Sequence, residues 1–203
     1  MAKDITRGIF NIIGAHPTGE RAEMDYYSTN PLAVEKLASI YDIPHTVWEC
    51  AAGGGGNLSH TLEKMGHTVI SSDIVYRGCG SVLDFFEADS MPEGCHCILT
   101  NPPYSQSVEF IRHSLNLVPK DCGVVAMFLK TQFLETQKRY ELIFKDHAPE
   151  YMFQFIKRIS CYKNGVENKE NPAMPFAWFV WDMAERRRRI DNNETTATRI
   201  GWI

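Results

Sequence analysis

Apolar positions along the chain fall into short runs separated by glycine- and proline-marked turns. Thr46-Val47-Trp48-Glu49-Cys50 predicts a strand that ends at Ala51-Ala52-Gly53-Gly54-Gly55-Gly56. Asn57-Leu58-Ser59 then opens a helical pattern that continues through Leu62 and Met65 to Gly66. Thr68-Val69-Ile70-Ser71-Ser72-Asp73 predicts a second strand, and residues 95–99 another, followed by a helix marked by Val108, Ile111, Leu115 and Leu117. The unbroken run Gly123-Val124-Val125-Ala126-Met127-Phe128-Leu129 is what a strand covered on both faces requires. A further helix, marked by Leu142, Ile143 and Phe144, ends before Pro149, and residues 151–156 and 176–181 predict the last two strands. Upstream, Asn30-Pro31 leads into Leu32, Val34, Leu37, Ala38 and Tyr41, a capped helix with proline in its first turn. Residues 1–24 hold Ile5, Ile9, Phe10, Ile12 and Ile13 without a clean period and read as an irregular arm. Residues 25–183 then form one domain and 184–203 a basic tail.

Asn101-Pro102-Pro103-Tyr104 interrupts this pattern between a strand and a helix. Each proline fixes its own φ, lacks a backbone donor and restricts the residue before it, so the strand stops at Thr100 and the next residues are held stiffly. An amide, a prolyl carbonyl and an aromatic ring at that place suit a planar amine. The amide oxygen and the carbonyl can accept its two N–H groups while the ring stacks on the plane that carries it. Asn-Pro is also an ordinary turn initiator, so the surrounding chain has to decide.

Strand, glycine loop and helix supply that context. Glycines at this place allow positive φ and let a ligand approach backbone N–H groups at a helix N-terminus. Asp73 closes the next strand 24 positions after Glu49, the spacing by which a βαβ unit sets an acid beside a ribose. Asp84-Phe85-Phe86 pairs an acid with aromatic rings; it suits an adenine, and equally a core Phe pair beside a surface Asp.

Composition narrows the setting. With 203 residues, 44% apolar and 23% charged, the chain affords one sizeable core and leaves little for a second domain. A formal charge of −4 argues mildly against a strongly electrostatic nucleic-acid binder without excluding a local basic surface. The six cysteines lie mostly in or beside apolar runs and no secretory signal is seen, which predicts reduced thiols and a cytoplasmic protein. Cys95-His96-Cys97 is the one metal-like cluster, but strand alternation would put its two thiols on one face and the imidazole on the other. With no second ligand pair, no metal is expected. No apolar run approaches the ~20 residues of a bilayer span, so no membrane partner is expected. Two polar stretches stay open: residues 157–175, too long for a simple hairpin and a candidate substrate-recognition loop, and Arg186 to Arg189, either a solvated helix end or a phosphate contact. The oligomeric state is not legible.

In combination these motifs resemble the class I S-adenosylmethionine-dependent methyltransferases, and specifically the phage- and prophage-type amino-methyltransferases that modify adenine N6. The resemblance covers most of the chain. It implies a single-domain α/β Rossmann-like fold, with a mostly parallel seven-stranded sheet, an antiparallel last strand, and helices on both faces. It implies S-adenosylmethionine as cofactor and DNA as partner. The methionine end would lie against Tyr27, Ser28, Thr29 and Asn30, with Glu49 engaging its ammonium and Ala51, Gly53 and Gly55 in the cofactor loop. Asp73, with Ile74 beside it, would bind the ribose, and Asp84 and Phe85 the adenine ring. Asn101, Pro102, Pro103 and Tyr104 would be the catalytic tetrapeptide, with Asn101 also bordering the cofactor and Phe133 or Tyr162 closing the base pocket. The four glycines depart from the family's mixed Gly-x-Gly loop, and no separate target-recognition domain fits the length. The same tetrapeptide also occurs in enzymes that methylate glutamine side chains of proteins, relatives act on RNA, and a non-catalytic module could keep the fold.

Overall fold

A computed structural model describes residues 27–159, 161–163 and 174–203. Its strands are β1 (Tyr27–Ser28), β2 (Thr46–Glu49), β3 (Thr68–Asp73), β4 (Ser81–Val82), β5 (Cys97–Thr100), β6 (Val124–Lys130), β7 (Tyr151–Gln154), β8 (Tyr162–Lys163), β9 (Phe176–Asp182) and β10 (Arg199–Trp202). The helices are α1 (Pro31–Ala38), α2 (Asn57–Lys64), α3 (Ser107–Leu117), α4 (137–147, with a π turn over Tyr140–Phe144) and α5 (Met183–Asp191). One sheet runs in the order β10-β7-β9-β6-β5-β2-β3-β4, and β1 pairs separately with β8. All neighbours in the large sheet are parallel except β9, which lies antiparallel between β6 and β7.

The apolar runs take the middle of this sheet because both of its faces are covered. Along β6, Val124, Ala126 and Phe128 pack with Leu37 of α1 and Leu62 of α2. The alternate residues Val125, Met127 and Leu129 pack with Ile111 of α3, Ile143 of α4 and Met183 of α5. Local chemistry sets the helix starts. Asn30 caps α1 by accepting Leu32 N–H at 3.0 Å, with Pro31 in the first position. Asp182 caps α5 by accepting Glu185 N–H at 3.0 Å.

The sheet has eight strands where seven were expected, and the eighth comes from residues taken as a tail. β10 runs parallel to β7 at the sheet edge, held there by the arginine run. Arg189, with 0% of its surface exposed, donates to Glu185 at 2.7 Å and to the Ala197 carbonyl at 3.1 Å. Arg199 of β10 reaches the same Glu185 at 3.1 Å. Arg186 pairs with buried Glu150 at 2.6 Å, and Arg188 bridges Glu185 and Glu194. Arg187 faces Asp191 at 3.8 Å. Arg186 and Arg189 thus turn into buried ion pairs, while Arg187 and Arg188 stand exposed on α5, each beside a carboxylate. The cysteine pair also differs from expectation. Cys95 lies before β5 begins, where strand alternation does not apply, and it packs in the opposite core face from Cys97.

Candidate cofactor and target-amine site

Four neighbouring strands, β5, β2, β3 and β4, point their carboxyl ends the same way. In open α/β sheets the crevice beyond those ends, where the chain order reverses, is the usual ligand site. Here the reversal lies between β5 and β2. Each strand delivers one of the expected residues there: β2 ends on Glu49, β3 on Asp73, β5 is followed directly by Asn101, and Asp84 lies two residues beyond β4.

The glycine run is a defined turn. Gly53, Gly55 and Gly56 have φ of 65°, 75° and 54°, values that side chains with a Cβ rarely adopt. At Gly56 a Cβ would also come within 2.4 Å of Cys79 Sγ. Asp73 fixes the loop against β3, one carboxylate oxygen accepting Gly53 N–H at 2.9 Å and the other Val75 N–H at 3.0 Å. Ala52 N–H adds a bond to the Ser72 carbonyl at 3.0 Å. Next to Asp73, Ile74 stands exposed. On the other side Asn57, first residue of α2, donates to Ser28 Oγ at 2.8 Å and to the Thr29 carbonyl at 3.5 Å. Buried Ser28 and Thr29, the α1 cap Asn30, the loop and the end of β3 thus form one connected wall. Tyr27 joins it through its backbone in β1.

Glu49 is 1% exposed. Its Oε1 accepts both the Ala51 N–H, at 3.1 Å, and the Thr100 hydroxyl. Burial pushes its carboxyl up to about 8, against the lowering effect of these two donors, and nearby Asp73 adds to the rise. Thr100 was missed as a site residue. Its signal was present in the sequence as a polar side chain ending an apolar strand just before the tetrapeptide.

On the target side, Pro102 is buried and Asn101 half-buried, and a single turn of 3₁₀ helix over Tyr104–Gln106 leads into α3. Ser107 donates to the Pro103 and Tyr104 carbonyls at 3.3 and 3.1 Å, fixing the turn. Several described side chains lie against Tyr104. The Phe176 ring lies 5.9 Å away, Lys130 Nζ lies 4.7 Å from the Tyr104 ring centroid, and Cys161 Sγ lies 3.5 Å from its hydroxyl. Burial pushes the Cys161 thiol up to about 12, so it is neutral. Cys161 belongs to the proposed recognition loop, and β8 just after it pairs with β1. Residues 160 and 164–173 of that loop, and the arm 1–24, lie outside the described residues.

Two expected contacts are not available. The Phe85 ring is 3% exposed and packs between Trp48, at 5.3 Å, and Phe110, at 4.9 Å, with His113 at its edge. It serves the core, and Asp84, which caps the next turn by accepting Phe86 N–H at 3.0 Å, is left as the polar group there. Phe133 is buried on the sheet face opposite Tyr104, beneath the Arg139 guanidinium at 4.7 Å, and cannot line the base pocket. Tyr162 enters β8; its ring lies outside the described side chains.

This architecture recurs in solved structures. The methyltransferase subunit of a type I restriction-modification system from Streptococcus thermophilus matches with a TM-score of 0.55 and 14% identity, over 80% of this chain and 45% of its own. A Listeria monocytogenes protein assigned as a class I S-adenosylmethionine-dependent methyltransferase matches with a TM-score of 0.55 and 10% identity, over 97% of this chain and 71% of its own. The chain has the class I methyltransferase fold. A Pyrococcus horikoshii protein assigned as an RNA methyltransferase shares it, with a TM-score of 0.51 and 15% identity over 74% and 81% of the two chains. The present chain spans less than half of the Streptococcus subunit. No protein-family model and no curated protein matches the sequence.

Proposed function

We propose that this chain transfers a methyl group from S-adenosylmethionine to the exocyclic N6 amine of adenine in DNA. The observation that carries this is the convergence of Glu49, Asp73, Asp84 and Asn101 at the carboxyl ends of four adjacent strands, around a glycine turn that tolerates no side chain at Gly56. The crevice residues fit the cofactor. Each Asp73 oxygen accepts one backbone N–H, and a carboxylate offers about four acceptor positions, so capacity remains for ribose hydroxyls. Glu49, raised by burial, is a carboxyl whose charged form a ligand ammonium would stabilise. Ser28, Thr29 and Asn30 would complete the methionine side, Ala51, Gly53, Gly55 and Ile74 the wall, and Asp84 the adenine end.

Bound S-adenosylmethionine supplies an electrophilic methyl group on a good leaving group. The protein's own task is positioning. Asn101 and the Pro102 carbonyl would accept the two hydrogens of the target amine and stabilise the charge that develops on nitrogen, while Tyr104 would stack on the extruded base. Holding reactants within ~3 to 3.5 Å accounts for most of the acceleration that such a site has to provide. A type I restriction-modification subunit among the structures of the same fold is in keeping with a DNA substrate.

The test is to incubate the purified chain with radiolabelled S-adenosylmethionine and, separately, with DNA, RNA and a protein extract. Label in DNA is expected. Label confined to RNA or protein would reassign the target while keeping the chemistry, and label nowhere would favour a non-catalytic module.

A further inference from the structure

Lys130 ends β6, the strand beside β5. Thr100, which closes β5, is opposite Met127, so Lys130 lies three residues further along, roughly 10 Å at strand rise, level with the tetrapeptide. It follows Val124, Ala126 and Phe128 on the face of β6 that packs towards Tyr104. A lysine closing an apolar face usually covers it with its stem and sends the ammonium to water. Here the ammonium turns back over the Tyr104 ring, 4.7 Å from its centroid.

Among the described residues, Tyr104 lies between the Phe176 ring and the Lys130 ammonium. Phe176 is buried and stacked on Phe128, with centroids 4.9 Å apart and an interplanar angle of 10°. Lys130 is half-buried and pivots on a flexible stem. A planar group that stacks on Tyr104 from the lysine side would meet that ammonium and leave the Phe176–Phe128 stack in place. It would move the ammonium from the ring face to the edge of the incoming plane. In adenine that edge carries an acceptor on each side of the amine, N1 and N7, while the two groups assigned to the amine itself, Asn101 Oδ1 and the Pro102 carbonyl, act there as acceptors. A ring nitrogen on that edge calls for a donor, and an ammonium supplies three.

We propose that Lys130 is a substrate-binding residue that donates a hydrogen bond to the ring nitrogen flanking the target amine. This rests on the adenine assignment above. It makes recognition of the base depend on a donor as well as on the two acceptors of the tetrapeptide.

Wild type, Lys130→Met and Lys130→Arg are to be compared on DNA carrying adenine, 1-deazaadenine or 7-deazaadenine, with S-adenosylmethionine affinity measured in parallel. Methionine keeps the apolar stem over Tyr104 and arginine keeps a donor. Lys130→Met should lower kcat/KM on adenine by roughly 10- to 100-fold, the scale of one charged hydrogen bond, with cofactor affinity unchanged. Lys130→Arg should retain most of the activity. The gap between wild type and Lys130→Met should close on the one analogue that lacks the accepting nitrogen. A Lys130→Met enzyme within about threefold of wild type on adenine, or the same gap on both analogues, would overturn the inference alone. Absence of label from wild type on adenine DNA would overturn the substrate assignment and this inference with it.

Discussion

At Glu49 burial and hydrogen bonding pull in opposite directions, and burial wins. Its carboxyl titrates at about 8 in the fold against an ordinary value of 4.5. Between those values the folded protein holds a proton that the unfolded chain has lost. The stability contributed by this group is therefore complete below pH 4.5 and disappears as pH rises towards about 8. Glu49→Gln should remove that decline, so thermal melts of wild type and variant should diverge between about pH 5 and 8, with wild type losing ground as pH rises. Parallel profiles would contradict the assignment. Asn101 and Asp73 separate the two halves of the crevice. Asn101→Ala should reduce methyl transfer by about two to three orders of magnitude, as loss of a preorganised transition-state partner does, with cofactor affinity nearly intact; a matching loss of affinity would place the residue on the cofactor. Asp73→Ala should weaken cofactor binding first, because it removes both a proposed ribose partner and the acceptor for Gly53 N–H. Unchanged affinity by calorimetry would refute the ribose role.

Among the elements, the strands that build the site were legible because their apolar runs stop at residues that cannot continue them. β2 stops at glycines, β3 at Asp73, and β5 at Asn101-Pro102. β10 was not legible. Arg199-Ile200-Gly201-Trp202 is short, lies at the sheet edge and leaves Ile200 and Trp202 exposed, so no alternation marks it. What fixes it is a set of ion pairs between α5 and residues distant in sequence, which no local pattern reveals. The insertion of β9 between β6 and β7 likewise followed from the family resemblance; its apolar run alone is silent about direction. The ion-pair set has a measurable consequence. Glu185 holds buried Arg189 together with Arg188 and Arg199, and Arg188 first, then Arg189, bring its carboxyl down to about 2. Its contribution is present above the unfolded pKa of about 4.5 and is lost as pH falls towards 2. Glu185→Ala leaves a buried guanidinium without its carboxylate and should cost about 3–5 kcal/mol, read as a fall in the denaturation midpoint. A midpoint unchanged within error would mean that the network is ornamental.

For the molecule as a whole, a single α/β domain divides its work along the sheet. The wall from Ser28 through the glycine turn to Asp84 is the proposed cofactor side. Tyr104, Lys130, Phe176 and Cys161 lie together on the proposed target side, and Glu49 and Thr100, bonded to each other, lie between the two. The cofactor wall was the more legible half, since each of its polar residues ends a strand or a turn. The target side was less so. Lys130 reads in sequence as the end of an apolar run, and its neighbours come from β5, β6, β9 and the stretch after β7, brought together only by the fold. With a formal charge of −4, the chain does not present itself as a polycation for DNA, and each arginine of the run 186–189 is paired with a carboxylate. On the proposed function, specificity for DNA would then rest on the pocket around Tyr104 and not on overall charge. The most direct measurement is to incubate the protein with S-adenosylmethionine and adenine-containing DNA, digest the DNA to nucleosides and separate them by mass. N6-methyldeoxyadenosine formed by wild type and absent with Asn101→Ala is the predicted result. Deoxyadenosine left unmodified by wild type, at protein and cofactor concentrations where cofactor binding is saturated, would contradict the account.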